Sequence, residues 1–550
     1  MKKILTAIAA ILLCGSLYAQ IDPTVEVSRQ YKVNIADIDR PLSSDHSVAD
    51  SLQRFDVDFD YSIFNRPYTD LYEFTPYQTD SISKVVHRRP PYLMAQVGSQ
   101  FPLSADITIK SQLLARPRLN LGVDGDMKLT TCKMDYLDVE DGLNTVRFNG
   151  GLSASVKRAW KTGELTAALD YDNKTYIDEF EANALGHHVN ALGVDVAISS
   201  ADPAENSVFY NVNFNFKTVG KNLANETYID TSYFNNRMSL KATLGSSFDV
   251  HRIYVNMLYQ NAVTGRGDEK VNVGILEFMP IYEYAQGRLK LRAGARFGNT
   301  YIASDAATTI HPDLDVKVEV FKNTLWLRGE LSGGNELNSL VDYMLEAPWL
   351  CNSLQGGNQA VAEVIGTRNL VGKISLQSVI AGRFALAPYI AYGNYSNKLQ
   401  LRTAFTAERL PLLLPEYCDY ANTQIGFESS WKSRNLTVTA NLAHNNPFNE
   451  FNDAEHPVYM VAEWQAGASL EYNFKRRFFL NAAYSFESER ISWGGTIPDY
   501  SNLTVVLTGV INRHVAVYVK GDNLLNNQNY RYFAIPELPL NIGGGVRINF

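Results

Sequence analysis

The side chains able to do chemistry in this chain are few, and their spacing suits none of the common reactions. His187 and His188 invite a metal reading, but neighbouring residues on a strand point to opposite faces. Asp170, Asp172, Asp178 and Glu179, with Asn173 among them, could hold Ca²⁺ in an outer loop or form a solvated acidic flank. Cys132, Cys351 and Cys418 are an odd, widely spaced set that offers neither a disulfide framework nor a metal spacing. Arg266-Gly267-Asp268 reads as a turn before a strand. These residues imply no catalysis, no cofactor and no resident metal.

One charged group does have a pattern. Lys290, Arg292 and Arg296 alternate with Leu289, Leu291, Ala293, Ala295 and Phe297, and Arg328 and Glu330 fall on a nearby strand. Charges that line a pore could select permeating solutes. The same charges could instead form an internal salt-bridge network, and the residues leave both readings open.

The elements that would position such charges are strands. From about Tyr92 onward, apolar and polar residues alternate in segment after segment. Tyr210, Val212, Phe214 and Phe216 alternate with Asn211, Asn213, Asn215 and Lys217. Trp464, Ala466, Ala468, Leu470, Tyr472 and Phe474 alternate with Gln465, Gly467, Ser469, Glu471 and Asn473. Period two places one set on each face of a strand. Several runs reach about ten residues, the length a tilted strand needs to cross a membrane, where soluble strands average about five or six.

Short turns at Lys161-Thr162-Gly163, Phe248 to His251, Gln286-Gly287, Lys322-Asn323, Ala381-Gly382-Arg383, Ser433-Arg434, Lys475-Arg476 and Asn512-Arg513 alternate with longer polar stretches. The latter are roughly 175–190, 219–235, 299–312, 334–366, 399–415, 443–461 and 489–500. Short turns at one end and long loops at the other is the asymmetry of a membrane barrel. The pattern predicts an all-β fold, a large antiparallel transmembrane β-barrel over residues 92–550 with about 22 strands, in the even range 18–22. Leu337, Leu340, Val341 and Met344 have helical spacing, which predicts a short helix folded into or over the lumen.

Composition agrees with this. Hydrophobic residues are 45%, modest for a membrane protein, but a barrel strand shows lipid only every second residue. Aromatics are 11%, which suits girdles at both interfaces. Lys+Arg 50 against Asp+Glu 58 gives a net charge of -8, which speaks against a nucleic-acid partner.

The chain ends add a compartment. Lys2 and Lys3 precede the apolar run Ile4 to Leu13, and Leu17-Tyr18-Ala19 offers a small residue at a cleavage position. Residues 1–19 are therefore expected to be a signal peptide. Leu13 before Cys14 argues against a lipid-anchored cysteine there. Residues 20–91 carry the acidic, aromatic run from Arg54 to Tyr61 and several prolines, and are expected to be an irregular periplasmic or lumen-filling segment. At the far end Leu540, Ile542, Gly544, Val546, Ile548 and Phe550 form one face of a final strand, and Val546, Ile548 and Phe550 resemble the C-terminal signal read by the barrel assembly machinery.

The stretch Val519 to Asn526, followed by Tyr530, Pro536 and Gly543 to Phe550, resembles the end of TonB-dependent receptor barrels. The chain as a whole resembles the plugless, receptor-like barrels common in Bacteroidetes. The resemblance implies a cell outer-membrane protein of a Gram-negative bacterium, embedded in outer-membrane lipid. Such receptors carry a folded plug much longer than 20–91, whose glycine-rich motifs are not found there. Thr24-Val25-Glu26-Val27 resembles a TonB box, which would pair with TonB by strand addition. A barrel of this size encloses a lumen that other proteins plug. Residues 20–90, the loop 334–366 or another protein would have to occlude it. Two functions fit: a transport or porin-like channel protein, or a scaffold or accessory subunit of an outer-membrane assembly or export complex.

Overall fold

The computed structural model describes residues 92–550, apart from 102–103, 117, 135–142, 181–182, 201–207, 225–232, 267–268, 303–304, 351–364, 406–410 and 450–457. The expected signal peptide, the 20–91 segment, Thr24 to Val27 and Cys351 lie outside the described residues.

Twenty-two strands form a single sheet, and each pairs antiparallel with its neighbour in sequence. The first, Tyr92–Phe101, pairs with Ser104–Arg116 on one side and with the last, Asn541–Asn549, on the other. That second pairing closes the ring and leaves no free edge, as a sheet in lipid requires. Twenty-two strands about 4.8 Å apart and tilted about 40° make a ring roughly 44 Å across.

The outer face is apolar. Leu240, Leu244, Phe278, Phe297, Ile310, Leu314, Ile374, Ile390 and Ile425 are exposed on it. Trp160, Phe248, Phe321, Phe384, Trp431, Phe474 and Phe478 are exposed too, all where strands meet the short turns, and the terminal Phe550 is exposed beside them. They form one aromatic girdle. Tyr392 sits higher on the strand that starts at Phe384. The band between them covers roughly 20 Å of membrane normal at a tilt near 40°.

The short turns are tight. Arg477 N donates to Phe474 O at 3.0 Å, and both central residues, Lys475 and Arg476, have positive φ. Ala381 and Gly382 repeat this between Ile380 and Arg383. Two central residues of positive φ make the turn whose twist matches paired strands.

Several expected loops are strand instead. The stretch 175–190 belongs almost wholly to the hairpin Gly163–Phe180 and Asn183–Ser200. Much of 299–312 and 399–415 is likewise ladder. Loss of apolar alternation marks where a strand leaves lipid; backbone pairing continues beyond that point. The loop after Leu325–Leu337 does hold a helix, α1, Leu340–Glu346. Ser339 caps it by accepting from Val341 N at 3.3 Å. Leu340, Val341 and Met344 are buried as their spacing predicts, whereas Leu337 ends the preceding strand.

Candidate functional site

The described chemistry gathers at the long-loop mouth and in the lumen below it. Phe384–Phe405 and Pro411–Lys432, 22 residues each, are the longest strands. Their upper ends carry Leu412 and Leu414 onto Cys132, Met134 and Leu143 of Leu119–Met134 and Leu143–Trp160. Those strands lie on the far side of the ring, so the contact spans the lumen. The long hairpin thus bends over the mouth.

Residues 338–350 fill the space beneath it. Leu340, Val341, Met344 and Leu345 pack between Val189, Ala191 and Val219 of one wall and Leu399, Leu401 and Leu413 of the other. Polar contacts clasp the segment. Lys174 Nζ donates to Leu345 O, and Lys221 Nζ donates to the carbonyls of Pro348 and Leu350. The last carbonyls of a helix lack partners within it, so Lys174 satisfies one at Leu345 and suits the helix dipole, while Lys221 serves the carbonyls of the turn that follows α1. Trp349 Nε1 donates to Asp178 Oδ2 at 3.2 Å, and Thr145 Oγ1 donates to Asp178 Oδ1 at 2.9 Å. The Arg147 guanidinium lies 5.0 Å from the Trp349 ring centre and donates to Pro536 O at 3.4 Å. Leu413 N donates to Trp349 O at 3.0 Å, so the segment also borrows the backbone of the long hairpin. Two smaller inward hairpins, Arg490–Ser492 with Gly495–Ile497 and Tyr530–Tyr532 with Ile535–Pro536, complete the lid. Thr403 donates to Phe533 O at 2.7 Å and Arg490 to Tyr530 O at 2.8 Å.

The histidines and acids of the sequence are dispersed by this arrangement. His187 is fully buried on the lumen side beside Lys221, whereas His188 faces outward, 3.2 Å from Thr175 Oγ1. Asp170, Asp172, Asp178 and Glu179 sit in strand Gly163–Phe180, not in a loop. Asp178 belongs to the clasp, and Asp172 pairs with Lys217 at 3.7 Å.

The charged pattern on Leu289–Ile302 is brought together with its neighbours. Cross-strand pairing sets Glu283, Arg292, Asp315, Glu330 and Lys373 side by side. Arg292 meets Asp313 at 3.4 Å, Arg296 meets Glu277 at 3.3 Å, and Arg328 meets Asp315 at 2.7 Å and Glu330 at 3.0 Å. Lys290 stands apart near the short-turn end, with no ion pair among the described residues. The arrangement is an internal network of mixed sign, with Arg328 bridging the neighbouring carboxylates Asp315 and Glu330.

Above this network is a cavity of about 510 Å³, lined in part by Arg296, Arg368, Lys398, Tyr395 and Tyr420. Arg368 and Lys398 are lumen cations that the alternation does not reveal. Each shares its parity with the lipid-facing residues of its strand, and only a register break reverses that. No sequence signal marks the break.

The ring closes at the residues expected to form a terminal signal. Val546, Ile548 and Phe550 are exposed on the outer face, and Phe550 N donates to Leu93 O at 2.9 Å. On the inner face Arg547 holds Gln96 at 2.9 Å.

No protein-family profile matches the chain, and no curated protein matches it in sequence. Solved structures match in fold. The chain is similar to the FrpB iron transporter from Neisseria meningitidis (F3-3 variant), with a TM-score of 0.64 at 8% identity over 84% of this chain and 81% of that one. It is similar to the copper transporter OprC, with a TM-score of 0.61 at 10% identity over 84% and 80%. It is similar to the ferric-catecholate import receptor Fiu from K12 E. coli, with a TM-score of 0.59 at 9% identity over 84% and 82%. At these identities the shared property is the barrel.

Proposed function

We propose that this chain is an outer-membrane transport or channel barrel of the TonB-dependent receptor type, gated by its own lid. The observation that carries the reading is the clasp: an inward segment, 338–350, held in the lumen by Lys174, Lys221 and Asp178 from one wall and by Leu413 from the other. Any ring this wide must be occluded, but a lid held by a few polar contacts of single side chains is one that can open, which suits a gated path. The neighbours' names support transport, being iron, copper and ferric-catecholate proteins of the same architecture. The C-terminal motif supports the same kinship, and nothing in the residues supports an enzyme. In this reading residues 1–19 export the chain, 20–91 face the periplasm or enter the lumen, and Thr24 to Val27 engage TonB. The lumen charges Lys290, Arg292, Arg296, Arg328 and Glu330 line the solute path.

Planar-bilayer recordings test this. The intact barrel should conduct weakly, and removal of 340–350 should raise its conductance severalfold. A barrel that stays silent in both forms and co-purifies stoichiometrically with other membrane proteins would overturn transport in favour of the scaffold role. Deleting Thr24 to Val27 should abolish crosslinking to TonB.

A further inference from the structure

Two strands break register at the same height in the barrel. Between Ile365–Ile380 and its neighbours, Ser332 and Gly334 face Val371 and Arg368, and Arg368 and Leu370 face Tyr395 and Asn394. The strand Ile365–Ile380 therefore holds one extra residue near Asn369. Between Phe384–Phe405 and Pro411–Lys432, Tyr395 and Lys398 face Tyr420 and Cys418, so one extra residue sits near Asn397, whose φ is 51. Such bulges re-aim side chains and occur beside sites.

The consequence is specific. Leu370, Ile374 and Leu376 face lipid, and unbroken alternation would put Arg368 with them. Ile390 and Tyr392 face lipid, and alternation would put Lys398 with them. The two bulges turn both cations into the cavity, beside Arg296. Glycine makes room for the third: at Gly334, with φ 154, a Cβ would lie 2.5 Å from Arg296 Nη1.

Three cations and one carboxylate, Glu336, line the cavity by charge. Glu336 is taken by Lys398 at 2.9 Å, and Arg296 is taken by the buried Glu277 behind it. Arg368 has no ion pair among the described residues, and its Nε is buried without a hydrogen-bond partner. Tyr395 and Tyr420, with ring centres 5.1 Å apart, supply a flat wall. A cavity of about 510 Å³ is the size that takes a small organic ligand.

We propose that this bulge-built cavity binds a small organic anion, its carboxylate or phosphate held by Arg368 and Lys398 and its body against Tyr395 and Tyr420. The proposal rests on the transport reading in taking the lumen as a solute path. Glu336 is then the internal competitor that an arriving anion displaces from Lys398. It stands only a few residues before α1 in the chain, so occupancy and lid position are linked through one short stretch of backbone.

Calorimetric titration of the full, refolded barrel in detergent tests it, with phenyl phosphate and benzoate as probes, inorganic phosphate as the ring-free probe and benzyl alcohol as the uncharged control. The two organic anions should bind, inorganic phosphate more weakly, and benzyl alcohol not at all. Arg368→Gln and Lys398→Met should each weaken binding by about tenfold or more, the loss of one charge-assisted bond. Glu336→Gln should tighten it severalfold, a gain that damage to folding cannot mimic. Absence of binding by the folded wild-type barrel, unchanged affinity in Arg368→Gln, or weaker affinity in Glu336→Gln would each overturn the site. Conductance separates the readings: binding with no conductance in any lid variant rejects transport alone, and conductance without binding rejects this site alone.

Discussion

Lys221 does the most work in the clasp, because it is fully buried and its ammonium serves two carbonyls, those of Pro348 and Leu350. Lys221→Met keeps the length of the side chain and removes the donor. Each carbonyl left buried without a partner costs about 1–3 kcal/mol. The segment 338–350 should loosen, and single-channel recordings should show more frequent open events than in the wild type. Trp349→Ala should act in the same direction by releasing Asp178 and the Arg147 stack. Unchanged gating in both variants would mean that the apolar contacts of α1 hold the lid alone. At this scale the sequence was legible only in part. Alternation put Arg292, Arg296, Arg328 and Glu330 on the lumen face, and their spacing is what makes the ion-pair row. Arg368 and Lys398 were not legible, since each owes its direction to one inserted residue. Nor were Lys174 and Lys221, whose partners are carbonyls of a distant loop.

Among the elements, the two seam strands and the long hairpin make separate tests. In the seam, the glycines have a definite job. A Cβ at Gly98 would meet Tyr518 Oη at 2.2 Å, and one at Gly545 would meet it at 2.5 Å. The Tyr518 ring therefore lies over both glycines and ties the last strands to Asp106 at 3.2 Å. Gly545→Val should displace that ring and slow closure of the barrel, seen as loss of the compact band in unheated electrophoresis. Phe550→Ser acts on a different property, the terminal signal, and should lower the amount of protein in the membrane severalfold while leaving refolding in detergent near normal. Normal membrane levels of Phe550→Ser would contradict the signal reading. For the hairpin, Leu414→Cys would place a thiol in the cluster that holds Cys132. A short bismaleimide should join the two and lock the mouth, and failure to crosslink would mean that the hairpin does not rest on the far wall. The existence of nearly every strand could be read from alternation. Their upper limits could not, because a hairpin that has left the lipid keeps its ladder while its side chains turn polar on both faces. That is why the hairpin's reach across the mouth escaped the sequence, although the helical spacing of Leu340, Val341 and Met344 did announce α1.

Across the whole molecule, the question is what closes a ring roughly 44 Å wide. One helix about 10 Å long cannot do it alone. The lid is composite: α1, the bent hairpin and the small hairpin at 530–536 meet around Trp349, Leu413 and Ile535, and the second small hairpin braces the first through Arg490 and Tyr530. The size of the ring was legible as about 22 strands in the range 18–22 from residues 92–550 alone, because the period-two code repeats in most strands, and the two seam strands that close it both lie in that range. Closure therefore needs nothing from 20–91, and a chain lacking 20–91 but keeping its export segment should still give a heat-modifiable barrel. Its conductance then decides where the occlusion resides. If the lid is the main barrier, this deletion should leave conductance low, removal of 340–350 should raise it, and the double deletion should add little. If the truncated barrel conducts as freely as the lidless one, the N-terminal segment is the plug and the clasp only narrows the mouth. Recording the four proteins side by side at equal insertion levels distinguishes these outcomes, since the two barriers act in series and the dominant one sets the current.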